Sequence, residues 1–350
     1  MNHIEHGDML SAKVNALVNT VNTEGVSGKG IALQFKMRYP QNYRAYRSAA
    51  KRGEVKLGKV FPVWIGALDG PQWIINFPTK GHWRTKSRLA DVETGLDDLV
   101  RAVEELGIRS VAVPPLGCGN GGLDWDIVRP IIEEKLSALK SVEVLIYSPD
   151  GAPPPMEMRV DTVRPRMTVG RSTLLVALNQ YVEESGGATK LVIQKLAYLL
   201  QEAGIRLGLN FVKAPYGPYS ETMNHVLQGM EGHYTVGYGD RTTPSPIQIL
   251  PGAYVEAIEF LSDRPQLMAA VDRVKATIEG FESPYALELL TTVHYVATHG
   301  DHPARTVEQA IRQVGAWSDR KERMFPEEHI RIVWDQLESQ SWLPQPQNVV

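Results

Sequence analysis

The chain is poor in cysteine: Cys118 is the only one in 350 residues, so no disulfide can form within it and no cysteine cluster can hold a metal. That scarcity suits a reducing compartment. No apolar run is long enough to cross a bilayer as a helix. The amino terminus, Met1-Asn2-His3-Ile4-Glu5-His6, also lacks the basic head and apolar core of a secretory leader. A cytoplasmic protein with no membrane partner is expected. The nine histidines show neither HExxH nor another regular ligand spacing, so no metal and no metal-dependent chemistry is expected.

At 350 residues and 43% hydrophobic content the chain can bury two cores. Residues 148–171 contain Pro149, Pro153, Pro154, Pro155 and Pro165 with scattered charge, a composition that behaves as a semi-rigid spacer. Three parts are expected: a first domain over 1–150, a proline-rich linker over 151–170 and a second domain over 171–350. Charge divides along the same line. Residues 1–150 hold 19 Lys+Arg and 17 Asp+Glu, whereas 151–350 hold 18 and 23. The basic excess gathers at Lys51, Arg52, Lys56 and Lys59, and again at Arg84, Lys86 and Arg88 beside His82 and Trp83. Cations interleaved with an aromatic suit single-stranded nucleic acid, phosphates on the cations and a base on the ring. An ordinary solvated face accounts for the charge equally well. The nearness of Trp83 and Arg84 to Lys80 favours DNA, with His82, Trp83 and Arg84 as contacts.

The first domain carries two glycine loops, each expected between a strand and a helix. One is Pro114-Pro115-Leu116-Gly117-Cys118-Gly119-Asn120-Gly121-Gly122-Leu123-Asp124-Trp125, between an apolar strand at 110–113 and a helix at 126–139 that Asp124 or Asp126 could cap. The other runs from Asn22 through Gly25, Gly28, Lys29 and Gly30 into a helix from about 31 to 38 that stops before Pro40. Backbone N–H groups in such turns, with a helix dipole behind them, hold phosphate. Two of them suggest a diphosphate gripped from both sides. Gly117, Gly119 and Gly122 also satisfy GxGxxG, but that fingerprint ordinarily opens its domain and here stands near the end of one. Lys29 is followed by Gly30, so the first loop is no Walker A motif. Lys80 follows the apolar strand 73–77. A lysine delivered from a strand end and partly desolvated keeps some neutral amine, the form that attacks an anomeric or carbonyl carbon. A phosphate or nucleic-acid contact is the alternative role for it.

His6-Gly7-Asp8-Met9, Leu17-Val18-Asn19-Thr20-Val21-Asn22, Gly28-Lys29-Gly30 and Val113-Pro114-Pro115-Leu116-Gly117-Cys118-Gly119 together resemble, in order and spacing, the macrodomain family of ADP-ribose-binding modules. The likeness covers about residues 1–150. Phe77-Pro78-Thr79-Lys80 with Leu116-Gly117-Cys118-Gly119 is similar to the lysine-bearing terminal ADP-ribose glycohydrolases, and most of all to macrodomains of antitoxins that reverse DNA ADP-ribosylation. The resemblance implies an α/β three-layer fold with a mixed sheet between helices. It implies ADP-ribose as ligand, no cofactor, and ADP-ribosyl-thymidine in single-stranded DNA as substrate. It implies that Asp8 with Met9 meets the adenine, that Asn22 lies by the distal ribose, and that Gly28, Gly30, Thr79, Gly117, Cys118, Gly119, Asn120, Gly121 and Gly122 line the ligand. Lys80 is then the catalytic residue, acting on the anomeric carbon of the distal ribose. The related enzymes carry an acidic residue two positions after the Gly-Cys-Gly loop, where this chain has Gly121.

The second domain is expected to be mainly α-helical, with helices near 171–184, 190–203, 221–230, 253–261, 265–281, 284–298, 304–314 and 326–337. An extended turn, Phe211 to Ser220, interrupts them, with Ser220 as helix cap. Gln194-Lys195-Leu196-Ala197-Tyr198-Leu199 followed by Tyr216-Gly217-Pro218-Tyr219-Ser220 is similar to helical antitoxin domains that neutralise a toxin by contact. The partner implied is a DNA ADP-ribosyltransferase toxin, whose positive DNA-binding surface an acidic domain can cover. Two other readings compete with hydrolysis: a non-catalytic ADP-ribose reader and a nicotinamide-dependent oxidoreductase.

Overall fold

In the strand β2 (Ala16–Asn22) Ala16 and Val18 pack into one hydrophobic cluster and Leu17 into another, which requires covering layers on both faces. The computed structural model, which describes residues 2–66 and 70–344, supplies them. The other strands of its sheet are β1 (Asn2–Glu5), β3 (Phe61–Trp64), β4 (Trp73–Lys80), β5 (Ser110–Val113) and β6 (Glu143–Tyr147). Their order is β1-β6-β5-β2-β4-β3, and β3 alone runs antiparallel, against β4. Helices α3 (Leu89–Glu105) and α4 (Trp125–Leu136) lay Val92, Leu96, Leu99, Val128, Ile132 and Leu136 against Val18, Ile75 and Phe77. The opposite face is covered by Phe35 of α1 (Ile31–Arg38) and by Tyr46 and Ala49 of α2 (Pro40–Lys51). This is the mixed-sheet, three-layer architecture expected for the first domain.

The order also disposes of the dinucleotide-binding reading of GxGxxG. A doubly wound dinucleotide fold opens on that loop and spreads parallel strands to either side of its first strand. Here the loop follows the fifth strand, and an antiparallel strand forms one edge.

The chain divides into two compact units, residues 1–163 with 239–243 and residues 164–238 with 244–350. Among the described residues the second unit holds helices α5 (Val169–Ser185), α6 (Lys190–Glu202), α7 (Glu221–Met230), α8 (Ala253–Leu261), α9 (Pro265–Ile278), α10 (Pro284–Thr298), α11 (Val307–Gly315), α12 (Asp319–Met324) and α13 (Glu327–Ser339). Leu196 to Leu200 in α6 are buried without a break, the mark of a helix surrounded by others. The extended turn is a hairpin of β7 (Val212–Ala214) and β8 (Gly217–Tyr219). Ser220 stands at the cap position of α7, yet its hydroxyl makes no cap bond. Its backbone is clasped instead by Gln194, which accepts from Ser220 N–H at 3.0 Å and donates to its carbonyl at 2.9 Å.

Candidate active site

Strands β5, β2 and β4 lie side by side and parallel, so the loops at their carboxyl ends meet over one edge of the sheet, where open α/β sheets bind ligands. Lys80 is the last residue of β4, paired with Asn22 across a register shift in β2. Thr23 N–H donates to the carbonyls of both Lys80 and Gly81, at 3.2 and 3.1 Å. The backbone under the amine is therefore fixed. The Lys80 amine donates to the Asn120 carbonyl at 3.1 Å. The Asn120 side-chain nitrogen lies 3.0 Å from where a Cβ on Gly30 would stand. One asparagine thus joins the catalytic candidate to both glycine loops. Burial, and then the nearby charge of Lys86, lower the Lys80 pKa below the usual lysine value, which enlarges its neutral fraction.

The loop after β5 is shaped by residues it does not contain. A Cβ at Gly121 would collide with the Ser87 hydroxyl and the Gly117 carbonyl, and Ser87 N–H donates to the Gly121 carbonyl at 3.0 Å. Ser87 is buried, and its hydroxyl has no hydrogen-bond partner among the described residues. At Gly122, φ is +75° and a Cβ would come within 2.6 Å of the Lys86 amine. Gly122 N–H closes a turn onto the Gly119 carbonyl at 3.0 Å. Asp124 caps α4 by accepting from Asp126 N–H at 3.0 Å. Burial, and secondarily Asp124, push the Cys118 thiol up to about 11, so it is no ready thiolate. Its part in the loop is that of a small, half-buried side chain.

Other expected ligand residues are held by protein partners. Asp8 caps a short 3-10 turn, accepting from Leu10 N–H at 3.0 Å and the Ser11 hydroxyl at 2.6 Å. With Leu10, Gln34, Arg38 and Pro153 it lines a shallow cavity, and Met9 is buried beneath in the core. The Asn22 side chain is spent on its own loop: its nitrogen donates to the Val26 carbonyl at 2.6 Å and its oxygen accepts from Glu24 and Val26 N–H. Thr79 is buried, facing the Val21 carbonyl. Gly30 N–H donates to the Asp240 carbonyl at 2.9 Å, and Gly28 offers its own carbonyl to Arg241 at 3.2 Å.

Beyond Lys80 the chain turns through an aromatic-cation stack. The His82 ring lies on Trp83 with centroids 5.6 Å apart, Arg84 covers Trp83 at 4.4 Å, and Trp83 is 44% exposed. The three DNA-contact candidates therefore form one exposed surface next to Lys80. Sequence reasoning missed Ser87 as a site residue and counted Lys86 only as charge. The sole signal for either was closeness in sequence to Lys80.

A family model described as Macro domain matches residues 18–132. The chain is 47% identical over 331 residues to a DNA ADP-ribosyl glycohydrolase of Thermus aquaticus, covering 95% of this chain and 91% of that one. It is similar to the solved macrodomain of Mycobacterium tuberculosis DarG, with 57% identity, 43% of this chain and 99% of that one covered, and a TM-score of 0.43. A DNA ADP-ribosyl transferase-DNA ADP-ribosyl glycohydrolase fusion protein of Thermosipho africanus is 36% identical over 158 residues, covering 41% of this chain and 40% of that one. The near-complete, two-way coverage at 47% identity carries the conclusion: the chain belongs to the DarG family of DNA ADP-ribosyl glycohydrolases.

Proposed function

We propose that this glycohydrolase releases ADP-ribose from thymidine bases of single-stranded DNA with Lys80 as nucleophile, and that residues 171–350 bind and neutralise the DNA ADP-ribosyltransferase, a DarT-like toxin, that attaches it. The observation that carries the catalytic part is the Lys80 amine on the Asn120 carbonyl at 3.1 Å, between two glycine loops suited to a diphosphate. In the uncharged form the amine attacks the anomeric carbon of the distal ribose. A carbon–nitrogen bond to Lys80 forms, the bond to the base breaks, and the amine's proton passes to the departing base nitrogen. Water then adds at the same carbon, releasing ADP-ribose and restoring the amine. No carboxylate is required for this balance, consistent with Gly121 and with an Asp124 committed to capping α4. Asp8 and the loop amides hold the rest of the ligand, and the Trp83–Arg84 stack takes a neighbouring base and phosphate. A pure reader has no use for a partly desolvated amine fixed at the loop, so hydrolysis is the better reading. The fusion of transferase and glycohydrolase in Thermosipho africanus supports a transferase as partner.

The test is to incubate the full chain with ADP-ribosylated DNA and ADP-ribosylated protein side by side. Release from DNA is expected, and Lys80→Ala should abolish it while ADP-ribose affinity stays within a few-fold, because a group acting in the transition state affects turnover more than ground-state binding. Lys80→Arg keeps a positive charge but supplies no neutral amine. Recovery of most activity by arginine would reduce Lys80 to an electrostatic contact. Lys80→Ala should still inhibit the toxin stoichiometrically; loss of that inhibition overturns the neutralising role.

A further inference from the structure

Three consecutive residues of the second glycine loop are each engaged by the segment running on from β4. Asn120 accepts from the Lys80 amine, Gly121 accepts from Ser87 N–H at 3.0 Å, and Gly122 lies under the Lys86 side chain. A Cβ on Gly122 would meet the Lys86 Cδ and Cε at 3.1 and 3.3 Å as well as the amine. The stem of Lys86 thus occupies the space the glycine leaves. Residues two apart in a chain are separated by at most about 7 Å, so the Lys80 amine bonded to Asn120 and the Lys86 side chain packed over Gly122 share one short stretch of loop. Like charges on so short a stretch act on each other across solvent.

We propose that Lys86 is a positioning residue of the active site: seated on Gly122, its exposed ammonium disfavours a second positive charge at the Asn120 carbonyl and so keeps Lys80 available as an amine. The lowered pKa of Lys80, for which Lys86 is the cause after burial, agrees with this geometry. The other ionisable groups on the surrounding elements are Glu24 and Lys29 after β2, His82, Arg84 and Arg88 on the loop after β4, and Cys118 and Asp124 after β5, with Asp240 and Arg241 bonded to the first glycine loop. Glu24 faces His82, with 3.7 Å between Oε2 and Nε2. Arg84 covers Trp83, Arg88 pairs with Asp91 and Asp124 caps α4. Lys86 is the cation packed on the loop that receives Lys80, over Gly122. Its role in turnover rests on Lys80 being the reacting amine, but its effect on that amine can be measured directly.

The test is competitive acetylation of the full chain across a range of pH, with the extent of reaction at Lys80 read by mass spectrometry, in the wild type, Lys86→Met and Lys86→Arg. Lys86→Met should raise the midpoint of Lys80 by about half a unit to one unit, and Lys86→Arg should leave it where the wild type has it. Release of ADP-ribose from DNA should show the same displacement of its acidic limb, a loss of about three- to ten-fold below the midpoint that alkaline pH recovers. An unmoved Lys80 midpoint in Lys86→Met overturns the proposal whatever happens to activity, as does a rate lowered equally at every pH. If instead the midpoint moves but Lys80→Ala retains activity, it is the nucleophile reading that fails.

Discussion

Each half of the chain holds a lysine pushed toward its neutral form, and the two are held in opposite ways. Lys80 is half-buried at a strand end, its amine on a loop carbonyl that a ligand can reach. Lys195 is 1% exposed in α6, donates to the Pro218 carbonyl at 2.9 Å, and is lowered to about 7 by burial and by the charge of Lys321, against an opposing contribution from Glu288. The more perturbed of the two is the one with no ligand loop around it. Perturbation by itself therefore does not single out a candidate for catalysis; for Lys80 it is the position over the convergent loops that does so. The difference extends to the cores. The first unit buries mostly amides and hydroxyls, such as Asn19, Asn42 and Asn76, which bond one another at 2.8 to 3.2 Å. The second buries Lys195, Lys321, Glu288 and His294. Polar amides can fix a sheet beneath a site without titrating, whereas buried charges make the helical unit depend on pH.

The strongest way to break this contrast is at Glu288, which accepts from Lys321 at 2.8 Å and from Arg320 at 2.7 Å. Glu288→Gln leaves a buried lysine unpaired, a loss of about 3–5 kcal/mol. Urea unfolding of the full chain should show a transition shifted down with ADP-ribose binding kept at low urea. If binding disappears with it, the two units do not fold independently.

Next in size is Gly121→Asp, which restores the carboxylate of related lysine-bearing enzymes. Because its Cβ would collide with Ser87 and Gly117, the loop must shift, and a displacement near 1 Å can cost about 100-fold in turnover. Faster release of ADP-ribose by this variant would refute the steric account.

A pH series comes third. His294, bonded to the Tyr198 hydroxyl at 2.7 Å, is held down to about 3 mainly by burial. The unfolded chain takes up that proton below about 6.5 while the folded chain resists it until about 3, so the stabilisation is present above 6.5 and is lost as pH falls between the two values. Lys195 acts in the same direction at higher pH: between the ordinary lysine value of 10.5 and about 7 only the unfolded chain holds the proton, so stability falls as pH drops through that window. Thermal unfolding of the helical unit should follow both, and a flat profile from pH 6.5 to 4 would contradict the burial of a neutral His294.

The smallest effect is expected at Trp83→Ala, a loss of about 1 kcal/mol, or roughly five-fold, in binding of single-stranded DNA with free ADP-ribose affinity unchanged. An equal loss for both ligands would put Trp83 inside the ADP-ribose site.

Much of this was legible in the sequence, because strand alternation, glycine loops and caps are local signals. The strand expected at 110–113 is present as β5, and the helix expected at 126–139 is α4, Trp125–Leu136. Lys80 at the end of an apolar run is in fact the end of β4. Three helices escape a reading of the sequence. The longest, α3 (Leu89–Glu105), starts at Arg88 with no side-chain cap to mark it. Pro40 follows the end of α1 as expected, but it also fits the first turn of the next helix, where its missing N–H costs nothing. The six-residue α12 is too short to display a period. The contact of Ser87 with Gly121 spans 34 positions and has no periodic trace, so only the folded chain reveals it.

That contact constrains how this site can change. A single base change turns a glycine codon into one for aspartate, so the carboxylate of the related enzymes is nominally one step away. Every residue other than glycine brings a Cβ, and the space at position 121 already belongs to the hydroxyl of Ser87. Clearing position 87 alone leaves the Gly117 carbonyl in the way, so the backbone of the loop must move as well before position 121 can carry a side chain. One base change in a codon is thus no short route to the carboxylate, because the obstacle is the path of the backbone and not one neighbouring side chain.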